Sequence, residues 1–385
     1  MGITPNNSEI DNKSRMKEED DEERWSHLPA VLLWLIKDRL NIADTTRLAL
    51  VCKHWEASSL NCPSRSVGHW LMHRLTLLGT KCEFVNVSTM EKLTLDLPKF
   101  VDNTTFLFSR RGWLLFRSAG YDKGGRKCSL VLLNVHTNAK IIMPDPGRSV
   151  EGGIASFSAM EDDTPQYVVF ANRSNTLKGR ALYIGDVNDK IWTKHSYEDG
   201  RIMENIASLV VTGHKVYLLD VEGGLLIFDT DKLSWQKVDR DEEQNPIYKK
   251  YYQIQMTESE QGDILMIDGG VDLKTYRFFR LNHNHTGWEE LSLKTGLGLD
   301  RSWFLGFQNN HFSVKDSYGG WGTNKVYQLT TNYPFLNKLI INIHDLSSGS
   351  TQDYKPQHQH CVWVDLGWMH KVPPSCVFYV PSHQY

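Results

Sequence analysis

A strand, a tight polar turn and a second strand opened by a large apolar residue recur along this chain, and that recurrence restricts its fold more than any other feature. "LVLLNVHTNAKIIMP" sets Asn134 seven residues before Ile141, and "ALYIGDVNDKIWTKH" sets Asp186 six before Trp192. "LLIFDTDKLSWQKV" sets Asp229 six before Trp235, and "YRFFRLNHNHTGWEEL" sets Leu281 seven before Trp288. The anchors Ile141, Trp192, Trp235 and Trp288 stand 51, 43 and 53 residues apart. A period of about 40–50 residues with several strands per unit marks a β-propeller. Spread over about 300 residues it predicts roughly six blades, or seven with short ones. The Gly-Gly pair at 269–270 after an apolar strand is kelch-like. A lone blade is a small sheet with two apolar faces, and stacking neighbours in a ring covers both. The 12 tryptophans fit that need, since large rings fill the gaps between blades.

The first eighty residues read differently. Residues 1–23 carry eight acids and three bases and have no aromatic residue, which predicts a disordered acidic tail. From Leu28 the apolar residues fall at helical steps: Leu28, Leu32, Leu35, Ile36 and Leu40 on one face. Pro29 suits a first helical turn. A second helix is expected after the N-cap Asp44, with Leu48, Val51, Cys52 and Trp55 on its apolar side and Lys53 and His54 near its end. Val67, Trp70, Leu71, Leu75 and Leu78, closed by Gly79, predict a third helix linking two domains. Two short helices cannot bury their own apolar face, so something else must cover it.

These N-terminal residues resemble an F-box. Trp25, Leu28, Pro29, Leu32, Leu33, Ile36, Leu40, Asp44, Arg47, Val51, Cys52, Lys53 and Trp55 follow its Leu-Pro start and its Val-Cys-Lys-x-Trp finish without a gap. Ala43 and the pair Thr45-Thr46 depart from the usual pattern. The C-terminal part is similar to plant F-box proteins with a C-terminal KIB-type β-propeller. Trp288, Leu305-Gly306, Phe312-Ser313-Val314 and Asn324-Lys325-Val326-Tyr327 follow that family's order, as do "WLLF" and the closing "VPPSCVFYVPS". The resemblance implies the substrate-recognition subunit of an SCF-type E3 ubiquitin ligase. Its F-box would dock a Skp-type adaptor, and through it a cullin-RING ligase, while the propeller would bind an unknown protein substrate. By match to the motif, Leu28, Pro29, Leu32, Ile36, Leu40, Val51, Cys52 and Trp55 are the expected adaptor-binding residues.

No closely spaced Cys/His pairs form a RING-like zinc framework. The six cysteines, Cys52, Cys62, Cys82, Cys128, Cys361 and Cys376, contain no CxxC pair and suit a reducing compartment. Gly120–Lys127, "GYDKGGRK", spaces its glycines like a phosphate loop, but Arg126 stands where the Lys belongs and the stretch joins two strands, so a hairpin turn is expected. His358, His360, Cys361 and His383 lie close enough in sequence to suggest a metal, yet a loop with surface histidines accounts for them, as it does for His283 and His285. Asp186, Asp229 and Asp268 recur at strand ends, where turn chemistry explains them better than a channel active site.

The expectation is therefore an α+β multidomain chain that is not an enzyme. It comprises a tail at 1–23, a three-helix F-box at 24–62, a linker helix at 63–79 and a propeller at 80–385. No cofactor or metal is expected. The formal net charge of −3 and the lack of a basic stripe exclude nucleic acid as an expected partner. No apolar run is long enough to span a bilayer. With no secretory leader read at the start, residence in cytoplasm, nucleus or both is expected. Tyr248, Lys249, Lys250, Tyr251, Tyr318 and Trp321 are plausible substrate contacts, being the residue types enriched in hot spots or charged loops. The alternatives are a propeller-fold enzyme with an incidental helical hairpin, or an F-box scaffold without a ligase role.

Overall fold

The computed structural model describes residues 25–37, 40, 44, 47–48, 50–60, 70–74, 80–87, 90, 92–97, 104–122, 125–135, 137–144, 146, 153–159, 164–171, 181–197, 206–221, 223–238, 253–259, 261–269, 276–291, 301–306, 311–315, 324–331, 339–355, 361–364 and 377–379. They fall in two compact units, one holding the described residues up to 60 and the other those from 70 onward. The expected tail, the departures at Ala43, Thr45 and Thr46, the six proposed contacts Tyr248, Lys249, Lys250, Tyr251, Tyr318 and Trp321, and the histidines His358, His360 and His383 lie outside the described residues.

The first unit contains α1 (Ala30–Lys37) and α2 (Lys53–Leu60). Pro29 precedes α1 as expected, and its carbonyl accepts from the Leu32 and Leu33 amides at 2.9 and 3.1 Å. The second helix differs from expectation. Residues 44, 47 and 48 are helical, but the chain turns at Leu50 and Val51, whose amides reach back only three residues, to Arg47 and Leu48. Such tight bonds close a helical end. Lys53 and His54 therefore open α2 instead of ending a longer helix. "LALVCKHW" contains no Gly or Pro to announce that break. It is imposed by side chains after it that bond back to residues 25–28.

The expected linker helix is also corrected. Trp70–Arg74 forms strand β1, which pairs antiparallel with β2 (Lys81–Val85), itself paired with β3 (Lys92–Asp96). Trp70, Leu71 and Met72 are consecutive and buried. A helix facing one neighbour could not cover all three, whereas a strand packed on both faces does. The propeller thus includes residues from Trp70, ten before the expected boundary.

Four regular blades follow, each a four-stranded antiparallel sheet. The first is β4 (Thr104–Arg110), β5 (Trp113–Asp122), β6 (Gly125–Asn134) and β7 (Lys140–Met143). The second is β8 (Ile154–Ala159), β9 (Pro165–Ala171), β10 (Ala181–Asp186) and β11 (Trp192–Ser196). The third is β12 (Ile206–Thr212), β13 (Lys215–Asp220), β14 (Leu225–Asp229) and β15 (Ser234–Val238). The fourth is β16 (Gln253–Glu258), β17 (Ile264–Gly269), β18 (Tyr276–Leu281) and β19 (Trp288–Leu291). The fifth blade has five strands: β20 (Arg301–Leu305), β21 (His311–Lys315), β22 (Lys325–Thr331), β23 (Leu339–Asp345) and β24 (Thr351–Tyr354). There β21 is innermost, and β20 runs parallel to β22. The sixth, closing blade is built from both ends of the chain, in the order β25 (Cys361–Val364), β1, β2, β3, β26 (Val377–Tyr379). Around the axis β25 lies beside β4, β4 beside β8, β8 beside β12, β12 beside β16 and β16 beside β21.

The repeat read in the sequence maps onto this ring. Ile141, Trp192, Trp235 and Trp288 all lie on the outermost strands of the four regular blades. Before each comes an Asx turn. Asp186 accepts the Asn188 and Asp189 amides at 2.8 and 2.9 Å, Asp229 those of Asp231 and Lys232, and Asn134 that of Thr137. These backbone N–H bonds hold the Asp229 carboxyl below its usual range. Asp345 repeats the device in the fifth blade, accepting from Ser347 and Ser348. In the fourth blade the acceptor is Asn282, one residue beyond the Leu281 used as the sequence marker. Asp268 does not belong to the set. It lies within β17, opposite Arg277, and burial raises its carboxyl pKa. Within the Gly120–Lys127 stretch, Gly120, Tyr121 and Asp122 of β5 pair antiparallel with Lys127, Arg126 and Gly125 of β6, as a hairpin requires.

The cores lie between blades. Trp192 donates from its indole to the Pro144 carbonyl of the preceding blade at 2.8 Å. Its cross-strand partner is Gly185, where a Cβ would come within 2.8 Å of both the Trp192 ring and Met143. Between the fifth and closing blades, Phe304 stacks on Tyr327 at 4.9 Å and Trp363 meets Phe304 edge-on at 5.1 Å. Among the described residues no helix is long and apolar enough to cross a membrane.

Candidate docking face of the helical unit

The helical unit keeps large apolar side chains in solvent. Trp25, Val31, Leu32, Leu35, Leu50 and Val51 are all exposed, Leu50 at 83%. The reason is geometric. In α1 the buried positions are Leu33 and Lys37, one turn apart, while Val31 and Leu35 point roughly the opposite way at 100° per residue. A short amphipathic helix buries one stripe; this helix is apolar on two.

Four side chains hold the hairpin together. The Trp34 indole donates to the Ser58 carbonyl at 2.8 Å, and the Trp55 indole to the Trp25 carbonyl at 2.9 Å. The Cys52 thiol lies 3.8 Å from the Ser26 carbonyl, and His54 Nε2 lies 2.9 Å from that of Leu28. His27 stacks near His54 at 6.1 Å between ring centres.

This geometry sorts the residues singled out in the sequence. Pro29, Leu32 and Val51 are exposed. Leu28, Ile36, Leu40, Cys52 and Trp55 are half-buried, and Cys52 and Trp55 brace the fold. Leu35 belonged to the helical face as read but not to the expected contact set, and it is exposed. Trp25, Val31 and Leu50 are exposed too; periodicity alone could not select them, because it reports an apolar stripe without saying which side the second helix covers.

Among the described residues the propeller shows no comparable patch. Its large exposed apolar residues, Met90, Ile142, Ile191 and Leu233, are dispersed over several blades. At one mouth of its channel Arg110 pairs with Glu258 at 2.6 Å. On the fourth blade Arg277 grips both Glu290 oxygens at 2.8 and 2.6 Å, which holds the Glu290 carboxyl below its usual range. Among the described residues no cluster of three or more His, Cys, Asp or Glu could hold a metal, and Cys52, Cys82 and Cys128 form no disulfide.

Residues 84–363 match the family model described as the KIB1-4 beta-propeller. Two F-box/kelch-repeat proteins of Arabidopsis thaliana are similar to the chain. One is 23% identical over 271 residues, covering 69% of this chain and 73% of the relative. The other is 25% identical over 281 residues, covering 70% and 72%. Among solved structures, the Cps50 (Swd1) β-propeller domain of Myceliophteria thermophila is 11% identical with a TM-score of 0.36, over 77% of this chain and 99% of that one. The β-propeller domain of the Pyrococcus furiosus Trilobed protease is 9% identical with a TM-score of 0.32, over 68% and 96%. At those scores the blade count rests on this chain's own strand pairing.

Proposed function

The chain belongs to the KIB1-4 β-propeller family, and from that premise we propose that it is the substrate-recognition subunit of an SCF-type E3 ubiquitin ligase. The helical unit docks a Skp-type adaptor, which connects to a cullin-RING ligase, and the propeller holds a protein target. The observation that carries this reading is the apolar surface of Trp25, Val31, Leu32, Leu35, Leu50 and Val51, which the hairpin leaves uncovered. Singly exposed apolar residues are ordinary; six within 27 residues mark an interaction surface. The F-box/kelch-repeat names of the two relatives support the same reading.

The protein does no bond chemistry in this account. It raises the effective concentration of a target lysine near a charged conjugating enzyme. The domain plan it implies is an F-box at about 24–62 followed by the propeller.

Co-purification with a recombinant Skp-type adaptor tests the proposal. The parent chain is expected to form a stoichiometric complex, and Leu32→Glu/Leu35→Glu is expected to lose it while keeping the parent's unfolding temperature. A complex unaffected by the double substitution refutes the assigned face.

A further inference from the structure

A separate set of groups meets at one mouth of the propeller channel. Arg110 ends β4 of the first blade, Thr212 ends β12 of the third and Glu258 ends β16 of the fourth. Arg110 donates from Nη1 to the Val211 carbonyl at 3.0 Å and from Nη2 to Glu258 Oε2 at 2.6 Å. The Thr212 hydroxyl donates to the other carboxylate oxygen, Oε1, at 2.5 Å. The Arg110 and Glu258 side chains are only 21% and 19% exposed, so solvent screens the pair weakly. Tyr217, on β13, feels the same carboxylate: burial first, and the Glu258 charge second, push its phenol up to about 12.

Several hydrogen bonds among the described residues join neighbouring blades. Tyr167 donates to the Gly213 carbonyl, linking the second blade to the third. Ser208 accepts from the Met256 amide and donates to its carbonyl, linking the third to the fourth. Gln255 donates to the Gly306 carbonyl, and Tyr276 to Gln328, linking the fourth to the fifth. Arg110 instead passes over the second blade and fastens the first to the third and fourth.

We propose that Arg110 is a transannular strap that makes the first, third and fourth blades open together. Where each repeat touches only its neighbours, units can open one at a time. A link to non-neighbours changes that: freeing the first or fourth blade leaves a half-buried guanidinium or carboxylate without its ionic partner, and freeing the third strips the pair of the Val211 carbonyl and the Thr212 hydroxyl. The strap is independent of the chain-end closure, which is made by β25 and β26 in the sixth blade.

Arg110→Met, Glu258→Gln and the double variant of the full chain test this by thermal unfolding and native-state hydrogen exchange. Each single variant is expected to lower the unfolding temperature by about 2–4 °C, and the double by no more than the worse single. In the parent, the slow amides of β4–β7 and β12–β19 share one opening; in Arg110→Met, protection in β4–β7 falls by about tenfold more than in β12–β19. Should Arg110→Met fail to fold, Arg110→Lys serves in its place. An ammonium lacks the planar fork that reaches two acceptors, so it is expected to lose the shared opening too. Additive losses in the double variant, or two blade sets that already open separately in the parent, would overturn the strap.

Discussion

The helical unit and the closing blade face the same physical problem and solve it differently. Each is small and rich in large apolar residues. The closing blade buries Trp70, Leu71, Phe84 and Trp363 to 1% exposure or less, because a neighbouring sheet covers each of its faces. The hairpin of two eight-residue helices covers Leu33 completely yet leaves Leu35 and Leu50 in water. A ring has no spare face once its last strand is seated, whereas a hairpin always has one. Residual apolar surface is therefore informative in the helical unit and ordinary in the propeller.

The comparison is broken most severely at Trp363. Trp363→Ala removes the ring that joins the closing blade to Phe304 and Tyr327, and is expected to cost about 3–5 kcal/mol of propeller stability. Urea unfolding measures the loss; a cost under about 1 kcal/mol would mean the chain-end blade does not depend on that packing. Next in size is a pair of substitutions two residues apart in α1. Leu33→Ala is expected to cost about 2–4 kcal/mol in the helical unit, while Leu35→Glu stays within about 0.5 kcal/mol. Proteolytic susceptibility of residues 25–60 distinguishes them, and equal sensitivity would erase the contrast between a covered and an open stripe. The smallest effect concerns the Asx turns. Leu233 holds a left-handed φ of 51° where the matching residue in the fifth blade is Gly349. Leu233→Gly is therefore expected to gain about 0.5–1 kcal/mol, read as a raised unfolding temperature.

Much of the propeller was legible because its strongest signals are local. An Asx acceptor, a tight turn and a large apolar residue lie within eight residues, so Asp186 and Trp192, or Asp229 and Trp235, identify a blade edge with no knowledge of the rest of the chain. Asp345 makes the same turn but lacks the full signal, because Thr351 rather than a large apolar residue opens β24. The candidate contact set was only partly legible. Pro29, Leu32 and Val51 are at the surface, but Cys52 and Trp55 turn inward to brace the hairpin, and nothing in their spacing says so. Trp70 and Leu71 read as helical because a short apolar run has no period of its own.

Sequence by itself determined that this chain builds blades: the period, the turn residues and the alternation of apolar strands are short-range properties carried by adjacent residues. Tertiary structure decided where the ring closes and which stripe of α1 stays open. Both depend on pairings between distant residues, Leu71 with Trp363 and Trp25 with Trp55. A contact between remote segments leaves no mark on the local pattern of either one, so it appears only when the whole chain is packed.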